Sequence, residues 1–137
     1  MALIDAAIER GGLDENRIGV LGGSYGGILT NWLRGRTDRF TAAVSMRSCS
    51  NCIPIYGTDD IRFNTNVHAF GVDIFDDPEL YWRLTSIARV DQITAPLLLI
   101  HSEQDDRCPI EQSEQLFTAL KRLGRTVEFV RFPNESH

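Results

Sequence analysis

The chain has 137 residues, 42% of them hydrophobic and 24% charged, with a formal net charge of −5, the balance of one ordinary globular domain with one core. No apolar run approaches the ~20 residues of a membrane span, and without a basic stripe neither nucleic acid nor an anionic membrane surface is expected as a main partner. The start, Met1-Ala2-Leu3-Ile4-Asp5, lacks the basic region and cleavage site of a signal peptide, and three cysteines are too few and odd in number for a disulfide framework, so a reducing cytoplasm is the simplest home.

Leu3, Ala6, Ala7 and Ile8 put an apolar face on a first helix that Gly11-Gly12 ends. Asp14-Glu15-Asn16 is a polar connector, and Ile18-Gly19-Val20-Leu21 is a short buried strand. Residues 26–36 read as a helix, with Ile28, Leu29, Trp32 and Leu33 at helical spacing, and residues 40–45 as the next strand. From about residue 48 to 92 no period is sustained. This stretch reads as an excursion with short helices, one of them around Pro78-Glu79-Leu80-Tyr81-Trp82. Its aromatics, Tyr56, Phe63, Phe70, Phe75 and Trp82, fit packing as well as they fit a substrate pocket. Cys49-x-x-Cys52 lies at its start, but no second cysteine pair or nearby Cys/His pattern completes a zinc or redox site, so neither role is assigned.

Pro96 then opens Leu97-Leu98-Leu99-Ile100, an apolar run that suits a parallel strand covered on both faces. Residues 110–123 form an amphipathic helix. Leu116, Phe117, Leu120 and Leu123 share one face, and Gly124 stops it. Val127-Glu128-Phe129-Val130 is the last strand. Strands alternating with helices imply a single α/β domain over residues 1–137, with a parallel sheet and right-handed crossovers.

Between the first strand and the second helix stands Gly22-Gly23-Ser24-Tyr25-Gly26-Gly27. A Gly-x-Ser-x-Gly turn in that setting is the arrangement a nucleophile elbow requires. Gly22 and Gly26 have no Cβ to clash with the helix and the neighbouring strand. Ser24 then lies beside a helix N-terminus, which favours a developing oxyanion, and the backbone N–H of Tyr25 is one expected donor to it. A phosphate-binding turn is the alternative, but the Lys-Ser/Thr ending of a P-loop is missing and the spacing is wrong for Gly-x-Gly-x-x-Gly.

A serine nucleophile needs a base, and the base needs an orienting carboxylate. In this fold type the chain order is Ser, then Asp or Glu, then His. Of the three histidines, His68 lies in the excursion, and His101 closes a strand before the available carboxylates. His137 follows the last strand, at the carboxyl edge where α/β sites assemble, and is the base by order and place. The acid belongs in the loop after residues 97–100, where position alone leaves Glu103, Asp105 and Asp106 open.

Three blocks carry a wider resemblance: residues 18–40 with the Ser24 turn and Thr37-Asp38-Arg39-Phe40, residues 96–109, and Arg131-Phe132-Pro133-Asn134-Glu135-Ser136-His137. Together they resemble the C-terminal catalytic domain of the prolyl oligopeptidase family, most of all its acylaminoacyl-peptidase-like branch. The resemblance implies a partial α/β-hydrolase fold, a parallel sheet with helices on both faces. It places the catalytic acid at Asp105, four residues after the strand-end histidine, with Asp106 an exposed neighbour. It sets Arg107 close to substrate, contacting a peptide carbonyl or carboxylate; an ion pair with a loop aspartate is the alternative.

The implied chemistry is a serine peptidase acting on short or N-acylated peptides through an acyl-Ser24 intermediate, with no cofactor or metal. A carboxylesterase of the same fold and a non-catalytic, self-associating fragment are the alternatives. The family's domain also has strands upstream that carry a second oxyanion donor, a β-propeller before them, and a final helix beyond the base. The segment by itself is therefore expected to have little or no activity and a frayed His137. Its first strand should form an exposed edge prone to pair with another chain.

Overall fold

In the computed structural model every residue is described except Arg62, and the side chains of Phe63, Asn64 and Thr65. The reading of Phe63 therefore lies outside the described residues. The apolar runs become four strands, β1 (Gly19–Gly23), β2 (Ala42–Met46), β3 (Leu97–Ser102) and β4 (Val127–Phe132). The helices are α1 (Ala2–Glu9), α2 (Tyr25–Arg34), α3 (Cys52–Thr58), α4 (Phe63–Phe70), α5 (Pro78–Leu84) and α6 (Glu111–Arg122), with a 3-10 helix over Ile87–Gln92.

Local chemistry sets the ends of these elements. The Asn51 side chain accepts the Ile53 N–H at 3.1 Å at the start of α3. Asp77 accepts the Leu80 N–H at 2.9 Å at the start of α5, where Pro78 brings a preset φ. Gly124, at φ +68°, turns the chain out of α6. β2 begins at Ala42 rather than residue 40, because the Phe40 carbonyl is taken by Arg34 Nη1 at 2.7 Å.

All four strands are parallel, in the order β1-β2-β3-β4. The register aligns Val20, Ala43, Leu97 and Val127, and then Gly22, Ser45, Leu99 and Phe129. This face holds the core, where Leu97, Leu99 and Val127 pack with Ile93 and with Leu116 and Leu120 of α6. Each such side chain, fully buried, contributes about 1.5–3 kcal/mol by area removed from water. Helix α2 lies on the same face, where Ser45 Oγ donates to the Gly27 carbonyl at 3.4 Å.

The parallel α/β sheet is as expected, but its layering is not. Helices on both faces were expected, and both sheet-packing helices lie on one. The cause is topological: strands laid down in sequential order with right-handed crossovers send every crossover over the same side. The opposite face carries Leu21, Val44, Leu98, Ile100 and Val130, none of them buried. Leu21 on the edge strand β1 is 72% exposed.

In the excursion, Tyr81 is fully buried, with the rings of Phe70 and Tyr56 edge-on to it and its hydroxyl donating to the Val72 carbonyl at 3.0 Å. Phe75 is largely exposed and Trp82 nearly half exposed. Among the described residues, no helix is long and apolar enough to cross a membrane.

Candidate active site

The turn from β1 into α2 holds Ser24 at φ +55°, a left-handed conformation that a side chain rarely adopts. Two backbone bonds keep it there: Ser24 N–H to the Met46 carbonyl and Ile28 N–H to the Ser24 carbonyl, both 3.0 Å. Glycine is obligatory at two neighbouring positions. A Cβ on Gly22 would collide with the backbone of Gly26, and one on Gly27 would lie 2.5 Å from Ser48 Cβ. Gly26 was expected to avoid a clash, yet a Cβ there would meet open space. It presents its backbone, not its Cβ direction, to Gly22, so the tight helix position is Gly27. Tyr25 is the first residue of α2, and its N–H is among the first-turn donors without an intrahelical acceptor.

The loop after β3 brings Asp105 into a buried position, 3% exposed. Its Oδ1 accepts the N–H groups of Arg107 at 3.0 Å and Cys108 at 2.8 Å. His137 Nδ1 stands 2.8 Å from Asp105 Oδ2 and 3.1 Å from Oδ1, and its Nε2 stands 2.9 Å from Ser24 Oγ. A carboxylate only accepts, so Nδ1 carries the hydrogen and Nε2 is left to accept the serine hydroxyl. The tail before His137 is tied to the acid loop by Glu103 N–H to the Phe132 carbonyl (2.9 Å) and Gln104 N–H to the Glu135 carbonyl (3.1 Å). His137 is thus seated, where fraying was expected.

The other two loop carboxylates face elsewhere. Glu103 pairs with Arg131 at 2.8 Å, and Asp106 is exposed. Arg107 makes a bidentate pair with Asp60, Nε to Oδ1 at 2.5 Å and Nη2 to Oδ2 at 3.1 Å. That hydrogen bonding holds the Asp60 carboxyl below its usual range and raises the arginine. Arg107 also lines a cavity of about 450 Å3 that includes Ser24, with Ile28, Leu29, Ile55 and Phe70 on its apolar wall. An apolar hollow of about 530 Å3 between α1 and β1 contains none of Ser24, Asp105 and His137.

Sequence reasoning set His101 aside, and the structure gives it a place against Asp105. Its ring is buried, with Nδ1 2.7 Å from Ser113 Oγ and Nε2 2.6 Å from the Cys108 carbonyl. A carbonyl only accepts, so Nε2 carries the hydrogen and Nδ1 accepts from Ser113. Asp105 Oδ2 is 3.4 Å from the same Nε2. Burial pushes the imidazole below its ordinary range and keeps it neutral. Its position at a strand end, just before the acid loop, was the available signal. His68 is on the exposed surface of α4.

A parallel sheet, a strained serine between the first strand and the helix that covers it, and a carboxylate loop after a later strand define a protein of the α/β-hydrolase class. The chain belongs to the prolyl oligopeptidase family, whose sequence profile it matches over residues 1–137. It is 48% identical over 138 residues to the uncharacterized peptidase YuxL of Bacillus subtilis strain 168, which covers 100% of the chain and 21% of that protein. It is 32% identical over 142 residues to an acylamino-acid-releasing enzyme of Arabidopsis thaliana, covering 98% of the chain and 19% of the relative. The uncomplexed acylaminoacyl peptidase of Pyrococcus horikoshii superposes with a TM-score of 0.89 at 34% identity, over 98% of the chain and 22% of that structure. The chain thus spans about a fifth of the length of these relatives.

Proposed function

We propose that the protein containing this chain is a serine peptidase that hydrolyses short or N-acylated peptides. The observation that carries this reading is the continuous contact Ser24 Oγ–His137 Nε2 and His137 Nδ1–Asp105 Oδ2, at 2.9 and 2.8 Å. As Ser24 Oγ attacks the scissile carbonyl carbon, His137 Nε2 takes its proton, and the Asp105 carboxylate holds the resulting imidazolium in place. The carbonyl oxygen becomes an oxyanion beside the N-terminus of α2, where the Tyr25 N–H donates to it. Collapse expels the amine, which receives the proton from Nε2, and leaves acyl-Ser24; water then attacks the ester by the same route in reverse.

Arg107 engages Asp60 through two of its five N–H donors, which leaves others for a peptide carbonyl or carboxylate. The N-acyl preference is supported by the names of the relatives, acylamino-acid-releasing enzyme and acylaminoacyl peptidase. A reducing, cytoplasmic setting suits the three free cysteines.

The test uses the full-length protein. A fluorophosphonate probe labels Ser24, and Ser24→Ala abolishes both labelling and cleavage of N-acyl-amino-acid amides. Peptidase activity that survives Ser24→Ala overturns the mechanism. A strong preference for simple esters over amides overturns the substrate class.

A further inference from the structure

Two cysteines that no sequence spacing pairs are brought together in the structure. Cys49 follows β2 and Cys108 lies in the acid loop, 59 positions later, with their sulfurs 3.2 Å apart. Both are buried, yet both lie on the wall of the cavity that includes Ser24. We propose that Cys49 and Cys108 are a site of oxidative modification, where a peroxide entering the cavity closes a disulfide that pulls the Cys108 N–H away from Asp105.

The Cys49 thiol donates its hydrogen bond to the Cys108 sulfur. That donation, with burial, pushes the Cys49 thiol up, so Cys49 keeps its proton and Cys108 is the attacking sulfur. Attack on the O–O bond of hydrogen peroxide gives a Cys108 sulfenic acid and one water. The Cys49 sulfur then displaces the sulfenic oxygen, which leaves as a second water when it takes the Cys49 proton. Two thiols lose two electrons and two protons, and one peroxide becomes two waters. Cys52 lies on the same cavity wall, but it is Cys108, not Cys52, that takes the Cys49 hydrogen bond.

Closing the bond to about 2.05 Å draws the two sulfurs together by about 1 Å. The Cys49 side is anchored: Ser50 and Asn51 donate their N–H groups to buried Gln112 at 2.9 and 2.8 Å, and Asn31 donates to Ser48 at 2.9 Å. The displacement therefore falls on Cys108. Its N–H is one of the two donors to Asp105 Oδ1, and its carbonyl is the acceptor of His101 Nε2–H. Close-packed interiors transmit such a shift to their neighbours. Asp105 loses a charge-assisted bond and its aim at His137, so turnover falls about tenfold or more, the weight of one such bond.

Formation of the bond stands apart from the peptidase reading; its effect on turnover rests on that reading. The experiment treats the full-length protein with hydrogen peroxide, blocks remaining thiols with iodoacetamide and maps the peptides. The expected result is a Cys49–Cys108 cross-linked peptide, lighter by two hydrogen atoms, present in Cys52→Ser and absent from Cys49→Ser. Turnover falls with the same time course, returns with dithiothreitol, and resists peroxide in Cys49→Ser. Thiols that stay alkylatable, or bonds to Cys52 or between copies, overturn the site. A cross-link that leaves turnover unchanged overturns its link to Asp105. The wild-type peptide map decides the first point even if a variant fails to fold.

Discussion

His137 Nε2 lies 2.9 Å from Ser24 Oγ, although 113 positions of chain separate them and they follow strands at opposite edges of the sheet. Three strand spacings, about 14 Å, separate β1 from β4. The gap closes because the tail after β4 folds back across the acid loop, tied to it at Glu103 and Gln104. The loop after β3 thus both positions the Asp105 carboxylate and holds the tail that brings His137 to Ser24. In the full-length protein, Ser24→Ala should lower kcat on an N-acyl peptide amide by about 10^5–10^6 with little change in KM. Asp105→Asn should lower it by about 10^4, by favouring the wrong imidazole tautomer. The double variant should be no worse than Ser24→Ala. Steady-state kinetics check this, and an Asp105→Asn enzyme within tenfold of wild type contradicts it.

The elbow glycines should separate sharply under substitution to alanine. Gly22→Ala drives a Cβ into the Gly26 backbone, and Gly27→Ala places one 2.9 Å from the Met46 carbonyl. Neither neighbour is the free end of a flexible side chain, so each should cost about 3 kcal/mol or more. Gly26→Ala meets nothing, in a helix with ordinary φ, and should be neutral or gain up to about 1 kcal/mol. Denaturant midpoints of the three variants give the order.

These residues show what was legible in the sequence. The strand, turn and helix around Ser24 are contiguous, so local pattern reveals them. His137 follows from chain order alone. The acid does not, because three carboxylates fall within four positions. The family resemblance singles out Asp105, and the physical ground for it, the N–H groups of residues 107 and 108 turned onto that carboxylate, is visible only in the backbone geometry. The helices α3 to α5 are short and set by caps such as Asn51 and Asp77, so no period announces them. The Cys49–Cys108 contact, the clamp of His101 on the Cys108 carbonyl and the one-sided sheet are all long-range facts. No spacing in the chain encodes them.

Arg107 offers a test between its two readings. If it contacts substrate, Arg107→Ala should raise KM about tenfold through loss of a charged hydrogen bond. Asp60→Asn, which frees the guanidinium, should leave KM unchanged or lower it. If the arginine only braces the loop against Asp60, the two variants should behave alike. KM values of the pair against wild type decide the matter.

His101 should make stability depend on pH in one direction. Burial depresses its imidazole in the folded chain, so above the ordinary range near pH 6.5 both folded and unfolded chains hold it neutral and its contribution is complete. As pH falls below that range, the unfolded chain takes up a proton that the folded chain refuses, and stability falls. The groups facing the ring are Asp105, Ser113 and the Cys108 carbonyl; the Asp105 carboxylate raises the ring, and the charge of His137 adds to burial in lowering it. Chemical denaturation between pH 5 and 8 should show this slope in wild type and a flatter one in His101→Gln. Equal slopes would remove His101 from the account.

The open side of the sheet predicts how the 137-residue segment behaves when expressed by itself. In register, Leu21, Val44 and Leu98 form one apolar row across three strands, and Met46, Ile100 and Val130 form the next. Among the described residues β1 is also an edge strand of the sheet, and its backbone edge beside Leu21 invites a second copy. We expect the segment to self-associate at micromolar concentration through this edge and face. Leu21→Lys places a charge where both features meet and should shift the population toward monomer while circular dichroism stays the same. Sedimentation velocity reads the difference. A wild-type segment that sediments as monomer at every concentration would show that the open face does not attract its own kind.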